Sequence, residues 1–187
     1  MKNIPLEIGI KIPNPMRIDL EAIEGDGTAR LQAALDRAQA APVHVHLGAG
    51  RHEVGGLRLR SDTVLELDAE AVLAFRPDYE AYRDTTVDVV AEQSDRAMIV
   101  ARGAQRIAIR GAGRIECAGA THFSTGDDAR MGTRVPALLR PRVLVLDGCT
   151  NVTLRDVSVH DSPMWTLHLV DCTDVTISGV RVDNDRR

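Results

Sequence analysis

From Pro42 onward, apolar residues recur at every second position. Val43, Val45 and Leu47 alternate with His44 and His46, and the pairs Leu57, Leu59 and Leu65, Leu67 continue the pattern. A period of two marks strands with one face turned inward. Before Pro42 the spacing is helical: Leu31, Ala34, Leu35 and Ala38 follow Gly25-Asp-Gly-Thr28 at i, i+3, i+4 and i+7 and form one apolar face. That predicts a single helix over residues 28–40, capped by Thr28 and placed to close one end of a stack of strands.

The alternation is itself repeated. Cys149, Val152, Leu154, Val157 and Val159 recur as Cys172, Val175, Ile177, Val180 and Val182, each pair 23 residues apart, which is the signature of a solenoid. One coil reads as strands at 143–146, 152–155 and 157–160, the next as strands at 166–169, 175–178 and 180–182. An earlier copy at 104–115 aligns at an offset of 45, read as close to two periods. Gly111, Asp156 and Gly179 then share one position, a corner needing the left-handed backbone that Gly, and to a lesser degree Asp, tolerates. Equivalent strands on stacked coils pair in parallel along the axis. The expected fold is all-β: a parallel β-helix with three strands per coil and an N-terminal capping helix. It forms one domain over 1–187, with 1–20 as an N-terminal extension and 43–187 as coils. Segments 76–97 and 118–141 are too polar for coils and read as insertions, either bordering a binding surface or forming plain surface loops.

Composition narrows the function classes. With 44% hydrophobic and 3% aromatic residues, the interior must be filled by aliphatic ladders, leaving few aromatic platforms for a ligand. A net charge of −4 with scattered arginines gives no footprint for nucleic acid. Apolar runs fall short of the roughly 18 residues a membrane span needs. Lys2, Glu7, Lys11 and two early prolines interrupt any secretory signal, so a cytoplasmic location is expected. The three cysteines, Cys117, Cys149 and Cys172, lack metal-type spacing and read as reduced thiols, with Cys149 and Cys172 in a buried ladder rather than a disulfide. His44 and His46 share an outward face but have no visible third ligand, so no metal or other cofactor is expected.

The ordered motifs resemble the N-terminal half of glycoside hydrolase family 28, the polygalacturonase-like pectinases. They are Gly25-Asp-Gly-Thr28, Gly48-Ala-Gly50, Arg140-Pro-Arg142, Cys149-Thr-Asn-Val-Thr153 and Ser162-Pro-Met-Trp-Thr-Leu-His168. The resemblance implies a right-handed β-helix and inverting hydrolysis of α-linked galacturonan or related oligosaccharides. It also implies that the family's Asn-Thr-Asp, Asp-Asp, Gly-His-Gly and Arg-Ile-Lys motifs would fall beyond Arg187, so this chain is expected to be inactive by itself. Asp127-Asp128 imitates one motif by letter but sits in an insertion, and Asp183 and Asp185 read as solvated carboxylates. Two residues are expected near the substrate. His168 is turned outward by alternation, and Trp165 either floors a sugar or packs inward with Leu167. The expected partner is a pectic, galacturonate-containing saccharide. The alternatives are a polysaccharide lyase on the same fold and a non-catalytic carbohydrate-binding or structural module. The last coil lacks a recognisable cap, which predicts self-association through it.

Overall fold

The computed structural model describes residues 12–88, 93–128 and 133–184. It begins with β1 (Met16–Leu20), α1 (Thr28–Asp36) and a 3-10 turn at Arg37–Gln39. The chain then winds in coils. The first is β2 (Val43–Leu47), β3 (Gly50–Val54) and β4 (Leu57–Arg58). The second is β5 (Thr63–Leu67), β6 (Ala71–Phe75) and β7 (Ala97–Arg102). The third is β8 (Gln105–Arg110), β9 (Arg114–Glu116) and β12 (Arg142–Asp147), interrupted by an antiparallel hairpin of β10 (Phe123–Asp128) and β11 (Thr133–Pro136). The fourth is β13 (Thr150–Arg155), β14 (Ser158–His160) and β15 (Leu167–Val170), and β16 (Thr173–Ser178) and β17 (Arg181–Asp183) follow.

Stacking these coils makes a right-handed parallel β-helix with three sheets. The first sheet is β1-β2-β5-β8-β13-β16, the second β3-β6-β9-β14-β17 and the third β4-β7-β12-β15. Inward residues form aliphatic ladders, for example Leu65, Ile109 and Leu154 in the first sheet and Leu73, Ile115 and Val159 in the second, all buried. Leu31, Ala34 and Leu35 of α1 join the same core, so the helix plugs the start of the stack. Among the described residues no helix is long and apolar enough to cross a membrane.

Three expectations are corrected. Residues 16–20, placed in an extension, form β1, which pairs in parallel with β2 from Met16 opposite Val43 to Leu20 opposite Leu47. The offset of 45 spans one coil rather than two, because Gln105 in β8 lies directly opposite Thr150 in β13. The extra residues leave the stack sideways and add no rise. Thr28 does not cap α1; Gly27 occupies that position, Asp26 Oδ1 accepts from Thr28 N at 2.9 Å, and Thr28 Oγ1 accepts from Gly55 N at 2.6 Å. The corner position held, with φ of +110° at Gly111, +62° at Asp156 and +64° at Gly179.

Candidate functional site

Within the coils the long connections, β6 to β7, β9 to β12 and β14 to β15, all leave the second sheet and return to the third, so they cluster at one corner. The segment between β6 and β7 is not merely a surface loop. Its 3-10 turn at Tyr79–Tyr82 buries Tyr82, whose ring sits 6.4 Å from that of Phe75 and whose hydroxyl donates to the Arg76 carbonyl. Further on, Val87 packs with Ala97, Val100 and Val145 in a small second apolar cluster. Val100 and Val145 are opposed neighbours in the third sheet, so this cluster fastens the segment to that sheet.

The second segment, between β9 and β12, carries the hairpin and returns through Arg140. Arg140 N donates to Ser94 Oγ at 3.1 Å, and Arg142 Nη1 donates to the Ser94 carbonyl, so Ser94 clasps the two segments together. The Arg140 guanidinium lies over the Phe123 ring at 5.5 Å and donates to the Pro163 carbonyl at 3.2 Å. Between the segments runs a cleft of about 560 Å³, walled by Gln93 and Ser94 on one side and residues 136–140 on the other. Arg140 belongs to the Arg140-Pro-Arg142 motif, from which no role for it could be read. The cleft had no signal, because its walls are 46 residues apart at Ser94 and Arg140.

The third connection, 161–166, presents the two expected substrate residues. Trp165 is 56% exposed, so it does not pack inward with Leu167. Alternation misplaces it because β15 begins at Leu167 and Trp165 still belongs to the turn. Its ring stands 6.2 Å from that of His168, tilted by 39°. His168 lies opposite Val145 on the outer face of the third sheet, as alternation requires, and its Nδ1 is buried without a hydrogen-bond partner. Asn184, unnoticed in the sequence, ties the turn down. Its Oδ1 accepts from Ser162 N at 2.8 Å and its Nδ2 donates to Thr166 Oγ1 at 3.2 Å. The third connection thus presents a tethered aromatic face beside an imidazole, and the Arg140 guanidinium bonds to its Pro163 carbonyl.

The remaining candidates lie elsewhere. Asp127 and Asp128 fall in β10, opposite Arg134 and Thr133 of the hairpin. Asp183 Oδ2 is 3.8 Å from His160 Nδ1 on the second sheet, and Asp185 lies outside the described residues. His46 Nδ1 is 3.1 Å from Asp19 Oδ1, and His44 Nε2 is 3.2 Å from Glu66 Oε2. These histidines belong to a cross-strand charge ladder on the first sheet, and no metal-holding group of three occurs among the described residues. Burial pushes the His44 pKa down, against the pull of the Glu66 carboxylate. Burial also works against the Glu66 carboxylate, but the Arg110 hydrogen bond and charge outweigh it and hold its pKa low. Cys117, Cys149 and Cys172 form no disulfide with one another; Cys149 stacks one coil below Cys172, and burial pushes its pKa up.

The sequence model of glycosyl hydrolases family 28 matches residues 39–187. No curated protein matches the chain. Among solved structures, one from Parabacteroides merdae is 20% identical with a TM-score of 0.72, over 91% of this chain and 78% of its own. The family 28 exopolygalacturonase of Yersinia enterocolitica is 18% identical with a TM-score of 0.72, over 92% of this chain and 39% of its own. The hyperthermoactive exopolygalacturonase of Thermotoga maritima is 18% identical with a TM-score of 0.73, over 96% of this chain and 50% of its own. The chain thus spans half or less of these two exopolygalacturonases. At such identities the likeness establishes the fold.

Proposed function

We propose that this chain, which belongs to glycosyl hydrolases family 28, provides the scaffold and one rim of a cleft for a pectic, galacturonate-containing oligosaccharide. The observation that carries the reading is Trp165, an exposed indole held by a tethered turn beside an imidazole with an unpartnered nitrogen. An exposed aromatic of this size costs hydrophobic free energy in water, and a sugar face would cover it. Arg140 supplies a cation for the sugar carboxylate. The chain is expected to bind without hydrolysing. Inversion needs an acid and a base roughly 6.5–9.5 Å apart, and the Asp127-Asp128 pair and Asp183 stand on other elements.

Trp165 is the one tryptophan of the chain, so its intrinsic fluorescence reports on this rim alone. Titration with oligogalacturonate is expected to give a saturable change. His168→Ala and Arg140→Ala should weaken it, and neutral oligosaccharides of equal length should bind less well. A flat titration to millimolar saccharide would defeat the binding reading. Release of reducing sugar by the purified chain would defeat the claim that it lacks hydrolytic activity.

A further inference from the structure

Among the described residues Arg142 is the largest side chain to be fully buried, and it is charged. Its Nη1 donates to the Ser94 carbonyl, while Nε and Nη2 have no hydrogen-bond partner. A guanidinium taken out of water for one neutral acceptor lowers stability. Stability therefore does not account for it, and position is what it does supply.

Its backbone is planted in the third sheet. Arg142 N donates to the Arg96 carbonyl at 2.9 Å, and the residue stands opposite Ala97, the first residue of β7. From there the guanidinium reaches Ser94, itself buried. The residues that follow Ser94 are tied within their own segment. Val87 N donates to the Asp95 carbonyl at 2.6 Å, the Tyr79 hydroxyl to Asp95 Oδ1 at 3.0 Å and Arg96 Nη1 to the Tyr79 carbonyl at 2.9 Å. Ser94 instead turns two acceptors toward the other segment: its carbonyl takes Arg142, and its hydroxyl oxygen takes Arg140 N at 3.1 Å. Pro141 between the two arginines has a fixed φ and no N–H, and it confines Arg140 to extended backbone. The three residues thus form a stiff bracket. One arm is buried; the other is Arg140, which lines the cleft and whose guanidinium lies over Phe123 and donates to the Pro163 carbonyl.

We infer that Arg142 is a positioning residue for the cleft: through Ser94 it fixes the course of the chain at Arg140, and with it the direction from which the Arg140 charge meets a ligand. The ligand class this serves carries a carboxylate, because a guanidinium held in one direction favours a planar two-oxygen anion and adds little for a neutral sugar. Without the bracket Arg140 keeps its charge but samples more directions, and the ordering must be supplied on binding. The choice of ligand rests on the carbohydrate reading above; the positioning does not.

Amide hydrogen exchange on the full chain, read residue by residue by NMR, tests it. In Arg142→Met the Arg140 amide is expected to exchange about tenfold faster, the factor that one hydrogen bond of ordinary strength corresponds to. The β13 amides should meanwhile hold or gain protection, since a buried charge has been removed. Ser94→Ala should speed the Arg140 amide alike, and Arg142→Lys, which keeps a donor for the Ser94 carbonyl, should restore it. A role in stability alone would move all these amides together. In titrations followed by Trp165 fluorescence, Arg142→Met should lose about three- to tenfold of the wild-type preference for oligogalacturonate over a neutral oligosaccharide of equal length, and Arg142→Lys should keep it. An Arg140 amide as well protected in Arg142→Met as in wild type overturns the inference. So does a uniform loss of protection, or an unchanged preference for the charged saccharide. A flat wild-type titration defeats the carbohydrate reading instead, and the exchange comparison still decides the role of Arg142.

Discussion

Gly111 offers a test of the corner geometry in which backbone strain and steric clash can be separated. Its φ of +110° lies well outside the usual left-handed basin, and a Cβ added there would come 2.0 Å from the Leu67 carbonyl oxygen and 2.9 Å from the Leu67 carbon and nitrogen. These are backbone atoms of the coil below and cannot swing aside. In Gly111→Ala the left-handed conformation costs about 1–2 kcal/mol, and forcing apart two packed coils adds about 1–3 kcal/mol. Gly103 is the control: φ is +55° and nothing lies within 4 Å of an added Cβ. Gly103→Ala carries strain alone, partly offset by about 0.4–1 kcal/mol from the stiffer unfolded chain. Near 1 kcal/mol per 2–4 °C for a chain of this size, Gly111→Ala should lower Tm by roughly 4–20 °C and Gly103→Ala by no more than about 6 °C. Thermal and urea unfolding followed by far-ultraviolet circular dichroism, at one protein concentration, measures both. Equal effects for the two substitutions would refute the close coil contact at Leu67. The tolerance of Asp156 at the equivalent corner, with φ of +62°, already shows that positive φ by itself is affordable there.

Two further predictions concern ionisable groups. The His44 pKa is held below its ordinary 6.5 by burial, so the unfolded chain binds the proton more readily. Stability is therefore complete above pH 6.5 and drains away as pH falls below it; His44→Gln should flatten urea midpoints between about pH 7 and 5, and an unchanged slope would contradict this. Arg142 is fully buried, with one donor to the Ser94 carbonyl and with Nε and Nη2 unpartnered. Arg142→Met loses one charge-assisted hydrogen bond of about 1.5–3 kcal/mol but removes a desolvation penalty of several kcal/mol. A rise in Tm of about 2–4 °C is expected, and a fall would show that the guanidinium has a partner in solution.

The scaffold was legible because its signal is local and repeated. Val152, Leu154 and Val159 against Val175, Ile177 and Val182 give strand, register and coil in one alignment, and the structure pairs these residues one to one. Insertions were legible only as departures from that rhythm. Counting residues across 118–141 as a coil made an offset of 45 look like two periods, since sequence distance does not separate rise along the axis from excursion away from it. Trp165 failed for a related reason: alternation holds within a strand, and the turn before Leu167 lies outside one. The Ser94 clasp joins residues more than forty positions apart through backbone carbonyl and hydroxyl contacts, which leave no periodic trace.

The same physics explains why the candidate site gathers at a single corner. Lengthening one coil from 23 residues to 45 nearly doubles a loop, and each doubling costs only about 0.6 kcal/mol in closure entropy. The insertion between β6 and β7 recovers more than that by burying Tyr82 and Val87, at about 1.5–3 kcal/mol for a large apolar side chain. Strand pairing continues undisturbed on either side, from Leu57 opposite Ile99 to Ile99 opposite Leu144. Insertions at that corner can thus change length and chemistry with little effect on the stack. On the outer face of the third sheet Val145 is buried with Val87 of one connection, and His168, one coil on, stands beside Trp165 of another. A cleft at this position follows from where the coil tolerates extra chain, and its walls, Gln93, Ser94 and residues 136–140, are what those connections bring there.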